Sequence, residues 1–324
     1  MTAVNPSAPM LGCVSHAPLI EIRPKVPAFE ANVEAARQRF EERVHAYAPD
    51  RIVIFGNNHF WGFHYDNMPA YAVGVRAQAV DDLGGAAGRL NVPEQEAIAL
   101  VEDVRRQGFD PSISYRMTVD HGISQPLARL AGGLDRYPVI PIFVSVFTPP
   151  LLPFKRSRLF GEAVGRFLAR LGGRTLILGS GGLSHHPAFI FPPMPDATPE
   201  ILSWQTEGNL SAKMTQAQWK QRFDDLHRMG AQAIADGQFP LEELRLNEAF
   251  DRRFLALLAS GQLQEADDWD LVGDLLPQAG MGSWEIHSWI AAAAAYGAAG
   301  GAAPIQTLYE LAYEYGVGYG MAQA

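Results

Sequence analysis

Four histidines of this chain stand where an α/β protein places ligands. His16 ends the run Leu11-Gly-Cys-Val-Ser15. His59 follows Arg51-Ile-Val-Ile-Phe-Gly56 and two asparagines. His185 follows Arg174-Thr-Leu-Ile-Leu-Gly179 and a Ser-Gly-Gly-Leu-Ser link. Each preceding run is short and apolar and reads as a buried strand, and ligands of open α/β sheets bind outside the carboxyl ends of the strands. His121 lies in Thr118-Val-Asp-His-Gly-Ile123, with glycine behind it to admit backbone or substrate. A carboxylate is available in Gly282-Ser-Trp-Glu-Ile-His287, at the start of an apolar helix. Two imidazoles and one carboxylate on one face of a metal leave three positions open, the arrangement of non-haem iron(II) oxygenases.

The residues alone leave plainer readings standing. A histidine at a strand end can be a hydrogen-bonded structural residue, and Glu285 can belong to a helix cap with Ser283. Asp120 can orient an imidazole or be a solvated turn residue. Asn58, Phe60 and Trp61 flank His59, and the aromatic Phe60-Trp61-Gly62-Phe63 can line a ring pocket or pack a core. Lys155, Arg156 and Arg158 are candidate partners for an acidic substrate group, or ordinary surface cations. His64, His186 and His287 are read as supporting or surface residues, and His45 and His227 as structural or exposed. Cys13 is read as a small buried apolar group, since no cationic neighbour stabilises a thiolate. Gly179-Ser-Gly-Gly182 lacks the spacing of a phosphate loop and of a serine hydrolase elbow.

The elements that must position these residues follow from the periodicity. Apolar groups at helical spacing run from Phe29 to Ala48, and Pro49-Asp50 ends that helix. Strand, helix and strand in this order imply a βαβ unit with a parallel sheet. Helices are expected over 94–107, 159–171, 217–235, 241–258 and 282–296. A strand is expected over 137–147, weakened or placed at an edge by Pro141. The proline-rich stretch Pro187 to Pro199 reads as a loop and a candidate lid. The fold class is α/β: one domain over residues 1–324, a central, mostly parallel sheet flanked by helices, and a helical C-terminal third.

Composition bounds the function. The 324 residues are 48% hydrophobic and 19% charged, ordinary for a globular chain. The net charge is −9 with scattered cations, which argues against a nucleic-acid partner. A single cysteine excludes an internal disulfide and a thiolate cluster, leaving histidine and carboxylate as metal ligands. The most apolar stretch, Trp289 to Pro304, is too short and too rich in Ala and Gly to span a bilayer, so no membrane partner is expected. No secretory signal is visible, and a cytoplasmic location is expected.

Six blocks in order, CVSHAPL (13–19), GNNHFWGFHYDNMP (56–69), SYRMTVDHGISQPL (114–127), PVIPIFV (138–144), LILGSGGLSHHP (176–187) and SWEIHSWIAA (283–292), resemble the class III extradiol ring-cleavage dioxygenases. The resemblance implies that His16, His59 and Glu285 hold Fe(II) and that His121 and His185 are the catalytic histidines. An imidazole can accept or return a proton near neutrality, and His185 is assigned as the base and oxygen-orienting residue and His121 as the acid that protonates the peroxo or ring-fission intermediate, the reverse order being the alternative. The resemblance implies a small aromatic diol and O2 as substrates, the diol being a substituted catechol of the dihydroxyphenylpropionate type. It also implies a homo-oligomer. Two alternatives share the fold: the same chemistry on a gallate- or protocatechuate-like diol, and a non-catalytic Memo-like protein that binds metal or peptide. Relatives commonly carry an acidic residue where this chain has Asn58, which puts the charge beside His59 in question.

Overall fold

A run such as Ile52-Val-Ile-Phe55, aliphatic on both of its faces, can be satisfied only as a strand covered on both sides. The computed structural model, which describes residues 8–302 and 304–324, shows this arrangement. In chain order the first half comprises β1 (Met10–Val14), α1 (Leu19–Ile22), α2 (Glu30–Tyr47), β2 (Arg51–Gly56), β3 (Tyr71–Gly74), β4 (Ala77–Ala79), β5 (Gly88–Arg89), α3 (Glu94–Arg106), β6 (Ser112–Ser114), β7 (Met117–Val119), α4 (His121–Ala131) and β8 (Val139–Val144). The second half comprises α5 (Phe154–Leu171), β9 (Thr175–Ser180), α6 (Pro199–Glu207), α7 (Gln216–Ala235), α8 (Leu241–Leu244), α9 (Glu248–Ser260), α10 (Leu276–Ala279), α11 (Ile286–Ala298), β10 (Gln306–Ala312) and β11 (Val317–Gln323).

The main sheet has the order β10-β11-β1-β9-β2-β8-β3-β6. Its centre, β1-β9-β2-β8, is parallel. β11 runs antiparallel on β1, and β3 antiparallel on β8. Side chains of β2 alternate between two cores. Val53 and Phe55 pack with α3, α5, α9 and α11, and Ile52 and Ile54 pack with α2 and α4. A small sheet, β5-β4-β7, stands apart, with β4 and β7 parallel.

The Ala-rich stretch explains itself in α11. Its small residues let α5 approach so closely that a Cβ at Gly161 would lie 2.2 Å from the Ala291 carbonyl oxygen. Trp289 and Ile290 on the same helix are fully buried, each stabilising the fold by roughly 1.5–3 kcal/mol. Among the described residues, no helix is long and apolar enough to cross a membrane.

Three expectations need correction. β8 is an interior strand despite Pro141. Val139 and Ser145 donate on the β3 side, so Pro141 faces that side too, one residue beyond the last β3 pair at Ile142, and no ladder bond is lost. The helix expected over 241–258 is broken: Arg245 takes a left-handed conformation (φ 52°), and Asn247 restarts the chain by capping the Phe250 N–H at 3.0 Å. The last 19 residues, expected to be helical, instead contain the β10–β11 hairpin, which extends the sheet beyond β1.

Candidate metal centre

The strand order decides the site. β1, β9 and β2 are adjacent and parallel, so the residues leaving their carboxyl ends emerge side by side. His16 follows β1, His185 follows β9 and His59 follows β2. Glu285 reaches them from the single 3-10 turn before α11, a helix packed on β9. β4 and β7 end in register at Ala79 and Val119, which brings Asp82 to Asp120 and His121.

His16 Nε2 lies 3.3 Å from Glu285 Oε2, and His59 Nε2 lies 3.4 Å from Glu285 Oε1. Adjacent donors about 2.1 Å from one metal ion sit about 3 Å apart, so these separations suit a shared cation. The other ring nitrogens are tied back. His16 Nδ1 meets Ser180 Oγ at 2.9 Å, and His59 Nδ1 lies 3.3 Å from Asp120 Oδ1. Asp120 Oδ2 also accepts the His59 backbone N–H at 2.5 Å, so Asp120 orients His59 rather than its neighbour His121. The hydrogen bond with Ser180 sets the aim of the His16 ring, and Asp120 holds His59 through its backbone N–H and by charge.

The donor set fits a metal ion. His16 Nε2 is buried and lacks a hydrogen-bond partner. Glu285 is fully buried and has no Lys or Arg partner among the described residues, an arrangement that requires a cation. Burial alone would push the Glu285 carboxyl up, yet the imidazoles of His16, His59 and His185 hold it well below the usual carboxylate range. Burial likewise opposes a charge on His59, yet Asp120 and Glu285 raise its pKa to about 10. The site thus draws a positive charge, as proton or metal.

Four further histidines line the same cavity, and two of them, His121 and His185, stand beside the converging donors. The His121 ring stacks on that of His59 at 4.2 Å, and its Nδ1 lies 2.5 Å from Asp82 Oδ2. Burial and the nearby Asp120 raise Asp82, and burial with the nearby histidines lowers His121. His185 donates Nδ1–H to the Leu183 carbonyl at 2.9 Å, leaving Nε2 free, and burial lowers its pKa. Its ring is held between glycines: a Cβ at Gly182 or Gly282 would meet the ring at 2.3 or 2.1 Å. The Gly182 N–H also donates to Glu285 Oε2. Close approach, not a phosphate, explains the Gly-Ser-Gly-Gly run.

A profile of the family described as "LigB: Catalytic LigB subunit of aromatic ring-opening dioxygenase" matches residues 11–321. The chain belongs to the LigB family. Among curated LigB-like relatives, the 2,3-dihydroxyphenylpropionate/2,3-dihydroxicinnamic acid 1,2-dioxygenase of Cupriavidus pinatubonensis is 38% identical over 291 residues, 90% of each chain. The enzyme of the same name from Burkholderia vietnamiensis is 37% identical over 317 residues, covering 97% of this chain and 96% of the relative. That of Klebsiella pneumoniae is 39% identical over 292 residues, 90% of each chain. This chain is therefore a dioxygenase of the extradiol ring-cleavage class.

The remaining candidates of this LigB chain fall in several places. Asn58 is not turned to the metal ligands. Its Oδ1 accepts the backbone N–H groups of Trp61, Gly62 and Phe63 at 3.0, 2.9 and 3.3 Å, a turn-closing role. Phe60 and Trp61 pack into an aromatic cluster with Trp204, Trp219 and Phe191 behind His59. Of these, Phe191 reaches the cavity. Arg156 is exposed over the Phe109 ring at 4.7 Å, away from the cavity lining, and Lys155 is exposed beside it. Arg158 is buried against Asp267. His186 and His227 line the cavity, His227 buried with its Nδ1 on the Phe223 carbonyl at 2.8 Å. His287 is buried on Ser157 Oγ at 2.8 Å, and His64 packs on Trp204. Cys13 is buried, and burial pushes its thiol far up. Of the proline-rich stretch, Pro187, Phe189, Ile190 and Phe191 wall the cavity.

Sequence reasoning missed three positioning groups. Asn57 Nδ2 donates to Glu285 Oε1 at 3.0 Å and lies 3.2 Å from His59 Nε2. Ser180 and Asp82 each hold the Nδ1 of one histidine. The only available signal was their place at a strand end or in a polar turn, which singles out no partner.

Proposed function

We propose that this chain opens the ring of a substituted catechol by extradiol cleavage, with both atoms of O2 entering the product, at Fe(II) held by His16, His59 and Glu285. One observation carries the reading: both Nε2 atoms converge on the two oxygens of a buried carboxylate, and His121 and His185 line the same cavity. Bound there, the iron supplies Lewis acidity that eases loss of the catechol protons, and open positions for the diol and O2.

The chain's own groups manage the protons. His185 is neutral, with Nδ1 committed to Leu183, so its Nε2 accepts a proton from a catechol hydroxyl. His121 and Asp82 share one proton. With Asp82 raised and His121 lowered, the proton rests on the carboxyl, which donates to Nδ1, and His121 carries its own hydrogen at Nε2. Giving up the Nε2 proton while taking that of Asp82 makes His121 the acid for the ring-opened product and leaves the negative charge on Asp82, whose Oδ2 the His121 backbone N–H and Nδ1–H then stabilise. The segment from Pro187 to Phe191 forms the cavity wall that a lid would supply.

The test is anaerobic loading with Fe(II), followed by 2,3-dihydroxyphenylpropionate, the substrate for which the relatives are named, and O2. A yellow ring-fission product is expected. Absence of O2 uptake with every member of a catechol panel would sink the reading.

A further inference from the structure

The cavity is lined by both polar and apolar groups. Its polar groups are the histidines, Glu285 and Tyr315, and its apolar lining includes Leu19, Phe189, Ile190, Ile234, Phe239 and Leu244, of which Leu19, Ile234, Phe239 and Leu244 pack in one cluster. Among the described residues that line it, none is Lys or Arg. The nearby guanidinium groups are turned to other work. Arg222 donates to the carbonyls of Ile190 and Phe189 at 2.6 and 3.1 Å, from behind the wall. Arg245 donates to the Leu276 carbonyl at 2.6 Å. Arg23 pairs with Glu30, and the Tyr315 hydroxyl is spent on the same carboxylate at 3.0 Å.

A carboxylate carried into such a wall loses its water and gains no cation in return, which is costly. An alkyl chain there gains affinity with each methylene it buries. We propose that the substituent of the diol is uncharged and apolar, an alkyl or aryl group on the catechol ring, in contrast to the acid side chain for which the relatives are named. This rests on the ring-cleavage reading for what the polar end does, but the apolar wall can be tested independently of turnover.

The measurement is binding, by titration calorimetry on the Fe(II)-loaded protein without O2, of 3-propylcatechol and of 2,3-dihydroxyphenylpropionate near pH 7. The propylcatechol is expected to bind at least about ten-fold more tightly. Phe189→Arg is the diagnostic variant, because Phe189 is 42% exposed at the rim and can be replaced without emptying the core. It should narrow or reverse the preference by tightening the acid alone. Equal or tighter binding of the acid by the unmodified protein overturns the proposal. So does a selective loss of acid binding in Arg222→Gln or Arg245→Gln. O2 uptake on the same pair separates the two readings. Tighter propylcatechol binding with no O2 uptake from either compound would sink ring cleavage and leave the apolar subsite standing. Turnover that favours the acid in kcat/KM would sink the apolar subsite and leave ring cleavage standing.

Discussion

Asn57 and Asn58 are adjacent, identical in type and next to His59, yet the structure gives them opposite jobs, and this can be separated by experiment. In Asn57→Ala, Glu285 Oε1 loses its 3.0 Å donor and His59 Nε2 loses its 3.2 Å neighbour. Only one side chain–side chain bond to the carboxylate disappears, so the fold changes little, but the carboxylate is no longer held in its rotamer. Loss of such an outer partner costs typically 10–100-fold in metal affinity, so a fall of about thirty-fold is expected. In Asn58→Ala, three backbone N–H groups at Trp61, Gly62 and Phe63 lose their shared acceptor in a largely buried turn. At about 1 kcal/mol for each group left unsatisfied, a destabilisation of about 2–3 kcal/mol is expected, with metal affinity of the folded protein nearly unchanged. Asn58→Asp keeps the acceptor but turns a carboxylate oxygen, in place of the Nδ2 donor, to the Thr118 carbonyl 3.4 Å away, so some stability should be lost with metal affinity nearly unchanged. The assays are a competitive Fe(II) or Co(II) titration and a urea unfolding curve on each variant. Weakened metal binding at unchanged stability in Asn58→Ala, or unchanged metal affinity in Asn57→Ala, would refute the assignment.

Three further outcomes follow from the same geometry. Glu285→Ala should lose the metal, because the only carboxylate of the three donors is gone, whereas His185→Ala should retain metal and lose turnover; full metal retention by Glu285→Ala would break the ligand assignment. Gly282→Ala places a Cβ 2.1 Å from the present His185 ring, so the ring must move: kcat should fall at least ten-fold with the metal content intact, and an unchanged kcat would show that the His185 position is not needed. Burial raises the Asp251 carboxyl to about 6, partly offset by its bonds from Ser184 and Tyr309. The folded state therefore holds a proton that the unfolded chain releases near pH 4. Its contribution to stability is full below that pH, falls as the pH rises and is gone above about 6, a change of about 3 kcal/mol. Asp251→Asn lacks this loss, so its melting temperature relative to the parent should rise between pH 4 and pH 7; a difference that stays flat with pH would contradict the raised carboxyl.

Much of the site was legible in the sequence because its main parts end short-range patterns. Runs such as Arg51–Gly56 and Thr175–Ser180 are recognisable as buried strands from their aliphatic residues alone, and the histidines that leave them inherit a position at the carboxyl edge. Glu285 was different: a single acid before an apolar helix has the same local pattern as a cap residue, and only the ordered blocks shared with ring-cleavage dioxygenases made it a ligand. The structure agrees that it caps nothing, since no side-chain cap bond is formed at the start of α11.

What only the tertiary structure decided are the partners. Ser180 meets a histidine 164 positions away, Asn57 a glutamate 228 positions away, and Asp82 a histidine 39 positions away. Each of these polar residues sits at a strand end or in a loop, where its own sequence neighbours would be satisfied equally well by water. The choice between Asn57 and Asn58 depends on how the chain twists after β2, and the choice of Asp82 for His121 depends on the parallel pairing of β4 with β7. The β10–β11 hairpin belongs to the same class. β11 is held by pairing with β1, more than 300 residues away, and β10 by pairing with β11, and no local pattern is strong enough to announce them. His227 is the last case: helical spacing placed it on α7, but only the packing of α7 against α1 and the 313–315 turn made that face part of the cavity lining. The sequence determined which residues could bind a metal. The fold determined what holds each of them, and how apolar a space they share.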